Sequence, residues 1–259
     1  MKKNILICLV FSLFITGHLY AQQQKWHIAK SKHFIIYYHN ASERLIDDII
    51  DKSEEYYDKI ADDLGFVRYD FWLWDNRAKI YIYDDAAAYQ SATGQPSWSS
   101  GCAYTKDKVI HTFPYAKGFL ETILPHELGH IIFREFVGFD NNAVPIWLDE
   151  GVACYQEKSR YLLSKNSLKR AIKDKKFLTI KELSDFNPQL VTDSERVNIF
   201  YNESVNIVNY LIKEFGEDNF ALFCQVLRDK KNLNEALRRA YPFTNIEEMN
   251  KAWERYIDG

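Results

Sequence analysis

Two imidazoles four residues apart, with a carboxylate beside the first, stand in the stretch LPHELGH, Leu124 to His130. If this segment is helical, His126 and His130 fall on one face a turn apart and offer two nitrogens to a single metal ion. Glu127 projects about 100° further round the axis, within reach of a water at such an ion without being a ligand itself. Two donors do not make a catalytic site, because catalytic zinc takes three protein ligands and leaves a further position for water. A third donor stands in VPIWLDEGVACYQEK, where Pro145 suits the first position of a helix expected to run through Lys158 and Glu150 lies one turn in. Nineteen residues separate His130 from Glu150, with GFDNN as the turn, so two antiparallel helices would bring this carboxylate beside the imidazoles. Gly129 and Gly151 flank the proposed ligands. Each costs up to about 1 kcal/mol relative to alanine inside a helix, so the pair implies a close approach of backbones there.

The elements that must position these residues are legible on either side. In GFLETILPHELGHIIFREFVGF the residues Leu120, Ile123, Leu124, Leu128, Ile131 and Ile132 wrap most of the helical surface, as in a buried helix. Pro125 either kinks that helix or marks its first turn. Ahead of it, HFIIYY (His33 to Tyr38) and AKIYIYDD (Ala78 to Asp85) are rich in β-branched and aromatic residues and read as strands. Cys102 to Phe113 reads as a hairpin around Lys106-Asp107-Lys108, and GQPSWSSG before it as turn chemistry. Between the first two strands a helix is expected, with Leu45, Ile49, Tyr56, Ile60 and Leu64 at helical intervals, Asn40 as its cap and Gly65 as its stop. Glu54, Glu55 and Asp58 are read as its solvated face.

Beyond Gly118 the pattern is helical. Capping-box spellings place helix starts near Thr179, Thr192 and Thr244, and a further start near Asn232 with Glu235 in the matching position. The expected fold class is α+β: a small N-terminal mixed sheet with helices, packed on a C-terminal helical half. Residues 22–259 read as a single domain, 22–117 the sheet-containing part and 118–259 the helical part, with no Pro- or Gly-rich linker between them.

Residues 1–21 read as a signal peptide: Lys2 and Lys3 form a basic start, Ile5 to Ile15 an apolar run, and Leu19-Tyr20-Ala21 the cleavage site. The apolar run is too short for the roughly 20 residues of a bilayer span, so export to a periplasmic or extracellular location is expected, with no stable membrane insertion after signal removal. Removing the segment takes away two lysines and no acid, moving the formal charge from −3 to −5. That balance lacks the basic face of a nucleic-acid binder. Cys102, Cys154 and Cys224 would remain, an odd number in mostly apolar surroundings, and read as small buried residues. His27, His33, His39 and His111 lack metal-binding partners and read as structural, and Trp147 as packing.

HELGH followed at this distance by WLDEG resembles the gluzincin zinc metallopeptidases, the clan of thermolysin and aminopeptidase N, and most closely its small secreted peptidase MA-like members. The likeness extends from HFIIYY to FYNESVNIVNYLIKEFG and MNKAWERYI. It implies a zincin-like fold, a bound Zn2+ with His126, His130 and Glu150 as ligands, Glu127 as general base, and a peptide or protein substrate. It also implies a Tyr or His from the helical half as donor to the oxyanion, for which Tyr201 is the candidate. Aminopeptidase relatives carry an acidic loop where this chain has GCAYT without a carboxylate, so endopeptidase action is expected. The hairpin could offer its edge to an extended peptide. One turn after the glutamate ligand, where thermolysin-like enzymes place an aspartate, this chain has Cys154, and the adjacent Asp149 is expected to point elsewhere. Two other readings carry the same residues: a secreted binding or scaffold protein that retains the gluzincin fold without turnover, and a zinc hydrolase of non-peptide amides.

Overall fold

Strands that alternate in hydropathy bury one face and leave the other for aromatic and polar side chains. The computed structural model of the protein, which describes residues 25–66, 72–157 and 160–258, follows that rule. Five strands form one sheet: β1 (His27–Lys30), β2 (Phe34–Tyr38), β3 (Ala78–Ile82), β4 (Gly101–Tyr104) and β5 (Val109–Thr112), in the order β1-β2-β3-β5-β4. The sheet is mixed. β2, β3 and β5 run parallel, with Ile36 opposite Ile80 and Ile80 opposite Ile110, while β1 and β4 pair antiparallel at the two edges. Phe34, Ile36, Ala78, Ile80, Ile82 and Ile110 lie in the core. On the opposite face Tyr37 stacks on Tyr81 at 4.6 Å and Tyr81 on His111 at 5.3 Å.

Helix α1 (Glu43–Asp63) joins β2 to β3, and its buried residues Ile46, Ile49, Tyr56, Tyr57 and Ile60 recur at helical spacing. Its cap is Ser42, whose side chain accepts from the Leu45 amide, and not Asn40, whose amide donates instead to Asp84. Glu54 leaves the expected solvated face: it accepts from the backbone and from Nδ1 of His33, at 2.9 and 2.6 Å. A short helix α2 (Ala86–Thr93) follows β3, capped by Asp85 and stopped by Gly94 in the left-handed region.

The helical half contains α3 (Leu124–Val137), α4 (Ile146–Tyr155), α5 (Arg160–Lys173), α6 (Ile180–Asp185), α7 (Ser194–Phe215), α8 (Glu217–Lys230), α9 (Leu233–Ala240) and α10 (Ile246–Asp258). Helix α7 is buried along an unbroken run from Asn202 to Ile212, the mark of a helix packed on all sides; α4, α5 and α8 pack against it. The caps at Thr179 and Asn232 stand where expected, the first with both arms of its capping box. The other two shift by one residue: Asp193 takes the Glu195 amide that Thr192 was expected to hold, and Asn245 accepts from Glu248, one residue beyond the amide expected for Thr244. One apolar cluster runs from Phe34 and Ile80 of the sheet through Leu128 and Ile131 of α3 to Leu211, Phe223 and Trp253. The α+β class read from the sequence, a small mixed sheet packed on a helical half, is the one observed. Residues 1–21 lie outside the described residues, and among those described no helix is long and apolar enough to cross a membrane.

Candidate metal centre

Helix α3 enters the site through a π-helical turn, Phe119–Ile123, that follows Gly118 in the left-handed region at φ 71°. Pro125 then falls in the first turn of α3, directly after the π-helical turn, so it marks the change from π to α geometry and not a kink in the middle of α3. Leu124, Leu128, Ile131 and Ile132 are fully buried. That burial turns the opposite side of the helix, with His126 and His130, toward α4. The connection through residues 138–145 reverses the chain. Pro145 stands as the cap of α4, one position before its expected place, and α4 ends at Tyr155, short of Lys158.

The two glycines act on different neighbours. A Cβ on Gly129 would meet the Ala153 Cα at 3.0 Å, so this glycine sets the contact of α3 with α4. A Cβ on Gly151 would lie 2.5 Å from the Ser204 carbonyl oxygen, so the second sets the contact of α4 with α7 and not with α3.

Within this frame His126, His130 and Glu150 converge. The two Nε2 atoms lie 3.2 Å apart, and Glu150 Oε2 lies 3.8 Å from His126 Nε2 and 3.6 Å from His130 Nε2. The two rings are nearly perpendicular, at 83°. Each ring gives its other nitrogen to a carboxylate: His126 Nδ1 lies 2.9 Å from Glu157 Oε1, and His130 Nδ1 lies 2.9 Å from Asp149 Oδ1. Such outer bonds fix the tautomer that leaves Nε2 with a lone pair facing inward. Arg134, one turn beyond His130, donates from Nε to the second Asp149 oxygen at 2.7 Å. Asp149 therefore does not point elsewhere, as its position next to Glu150 suggested; it orients His130.

The electrostatics favour positive charge at this point. Burial opposes a charge on His130, but Asp149 and Glu150 outweigh it and push the imidazole well above its usual range. Burial likewise raises Asp149, and His130 with Arg134 more than reverses it, holding the carboxyl low. Two imidazole nitrogens and one carboxylate oxygen, each ring supported by an acid, are a donor set that fits zinc. Cys154 Sγ, 4.0 Å from His126 Nδ1, forms a second three-donor group with Glu157. Cys154 and Glu157 are buried, whereas His126, His130 and Glu150 are all partly exposed, so the latter group is the one open to a substrate.

Comparison with known proteins bears on this arrangement. The family model described as the peptidase MA superfamily matches residues 74–259. The chain belongs to the peptidase MA superfamily. Among solved structures, native yeast LTA4 hydrolase is similar at a TM-score of 0.49 and 14% identity, covering 89% of this chain and 38% of that one. Yeast LTA4 hydrolase in complex with bestatin gives 0.47 and 13%, covering 90% and 36%. The chain thus spans little more than a third of the length of these structures. No curated protein sequence matches it.

For this peptidase MA chain, family membership supports a metallopeptidase. The remaining predicted residues fall around the same point. Glu127 lines a cleft of about 430 Å³ together with His126, Gly101 of the edge strand β4, and Trp98. Tyr201, in the third turn of α7, is half-buried. Its burial and the nearby charge of Glu150 push the phenol well above its ordinary value, so its hydroxyl stays a donor through neutral pH. The Arg160 guanidinium lies over its ring, 5.4 Å from the centroid. Trp147 is fully buried, its indole donating to Ser184 at 3.0 Å, in keeping with packing. Cys154 and Cys224 are buried and Cys102 half-buried, and all three are free thiols.

Proposed function

We propose that this chain is a zinc-dependent peptidase that cleaves bonds within peptide or protein chains, with His126, His130 and Glu150 holding the ion. The observation that carries this reading is the convergence of two Nε2 atoms and a carboxylate oxygen within 3.8 Å, each imidazole backed by its own acid. The ion supplies, when bound, a Lewis acid that polarises a carbonyl and acidifies water. Glu127 takes the proton of the attacking water and returns it to the leaving amine. Tyr201 donates its hydroxyl to the oxygen on which charge develops, a contribution held ready by the packing of α7 on α4. The outer side of β4, an edge of the sheet, offers backbone groups to an extended peptide by strand addition. Residues Gly101 to Thr105 carry no carboxylate to hold a free amine, which supports action away from chain ends. Export directed by residues 1–21 belongs to the same reading, and N-terminal sequencing of the protein recovered from its host tests it.

The peptidase reading is tested by cleavage of denatured casein. Wild-type protein should cleave it, lose the activity to a chelator and regain it with zinc, and Glu127→Gln should lower the rate by about 100-fold or more. Chelator-insensitive cleavage, or full activity in Glu127→Gln, would contradict it. Tight zinc binding without cleavage of any peptide would favour a binding role for the same fold.

A further inference from the structure

The cleft beside Glu127 contains two cations that the peptidase chemistry does not use. Arg160, the first residue of α5, and Lys117, just before the π-helical turn, both line it, together with the indole of Trp98. Arg160 is held by its surroundings yet has donors to spare. Its guanidinium is supported by the Tyr201 ring at 5.4 Å, and its side chain is 31% exposed. Its Nε is buried with no hydrogen-bond partner, so contact with a ligand falls to the exposed remainder of the side chain. Glu157 Oε2 pairs with Nη1 at 3.8 Å, an ion pair too long for a hydrogen bond, and the other oxygen of Glu157 is engaged by His126. Lys117 is exposed and has no carboxylate partner among the described residues. The carboxylates of the cleft are Glu127 and Glu157, the first assigned as base and the second bonded to His126. Trp98, 82% exposed, forms an apolar wall beside them.

We infer that Arg160 and Lys117 form a carboxylate-binding subsite next to the scissile bond, so that the enzyme prefers substrates presenting an acidic group there. The inference rests on the peptidase reading for its meaning, not for its chemistry. A planar guanidinium with unspent donors matches a carboxylate in two-point geometry, and the mobile lysine adds charge without fixing direction. The aliphatic part of an acidic side chain would lie along Trp98. The carboxylate has two sources, a Glu or Asp side chain inside the substrate or the C-terminus of a short peptide.

The test uses blocked peptides that differ only by Glu or Gln at each position flanking the cleaved bond, each made as the C-terminal amide and as the free acid. Wild-type enzyme should favour the Glu peptide, or the free acid, by about tenfold in kcat/KM, chiefly through KM. In the Arg160→Gln/Lys117→Gln double variant that ratio should fall to near one. Arg160→Glu should reverse it in favour of a Lys peptide, which loss of folding would not do. A wild-type ratio near one for both pairs, or an unchanged ratio in the double variant, would overturn the subsite. Calorimetric binding of the same peptides to Glu127→Gln separates the two readings. Tighter binding of the acidic peptide with no turnover by wild type keeps the subsite and removes the peptidase, whereas turnover without preference does the reverse.

Discussion

Each imidazole at the centre turns one nitrogen inward and gives the other to a carboxylate, and the two acids differ in what holds them in turn. Asp149 is fixed by Arg134, while Glu157 follows the end of α4 and is itself buried. Removing either should loosen the ring without removing a ligand. Asp149→Asn and Glu157→Gln should therefore each weaken zinc binding by about 10- to 100-fold, measured by competition with a chromogenic chelator. Unchanged affinity in both would mean that the packing of α3 on α4 alone orients the rings. At this scale the convergence of His126, His130 and Glu150 was legible, because helical spacing dictates where i and i+4 side chains point. The outer pair was not. Asp149 precedes Glu150 and was expected to diverge from it, but it stands in the first turn of α4 against His130, where Arg134 fixes its second oxygen. Glu157 lies two residues past the end of α4, where no helical spacing predicts its direction, so the sequence carried no signal for it.

Helices α4 and α7 meet backbone to backbone, and this contact sets how far Glu150 and Tyr201 stand from each other. A methyl group on Gly151 would lie 2.5 Å from a carbonyl oxygen that cannot yield as a flexible side chain would. Gly151→Ala should thus cost about 1–3 kcal/mol, a fall of several degrees in Tm, and reduce activity more than stability accounts for. A neutral Gly151→Ala would show that the helices can separate freely. Further along α7, Glu203 is fully buried and accepts the Leu178 amide with both oxygens, at 3.0 and 3.2 Å. Burial, which outweighs that hydrogen bond, pushes its carboxyl up to about 9. The folded chain then keeps a proton that the unfolded chain releases near the ordinary glutamate value, so the stability from this group is complete at acid pH. It is lost progressively as pH rises toward 9. Glu203→Gln should flatten the fall of Tm between about pH 5 and 9, and an unchanged slope in thermal melts would place the pH dependence elsewhere. Elements were read well wherever a local signal was strong, as at the box of Thr179 and the cap of Asn232. Thr192 and Thr244 were each displaced by a following Asp or Asn, which caps at least as well and sits one residue nearer. Strand β1 was missed because four residues with little buried surface are ordered by pairing with β2 and not by their own pattern.

At the scale of the whole molecule one apolar cluster spans the sheet and the helical half, so the two parts are expected to unfold together. Near- and far-ultraviolet circular dichroism should report the same Tm, and two separated transitions would divide the chain into independent units. The same continuity lets the sheet edge at β4, the start of α3 and the first residue of α5 present one cleft. The general α+β plan was legible from the change of hydrophobic period near Gly118, whereas the halves meet at close glycine contacts, Gly65 on Glu217 and Gly101 on Ile123, that no periodicity encodes. The claim on which the rest depends is that His126, His130 and Glu150 hold one ion. The most direct measurement is the zinc content of the purified protein, wild type beside Glu150→Ala and Glu127→Gln, after dialysis against equal free zinc. The account predicts about one zinc per chain in wild type and in Glu127→Gln, and its loss in Glu150→Ala. Zinc absent from the folded wild type, or undiminished in Glu150→Ala, would contradict it.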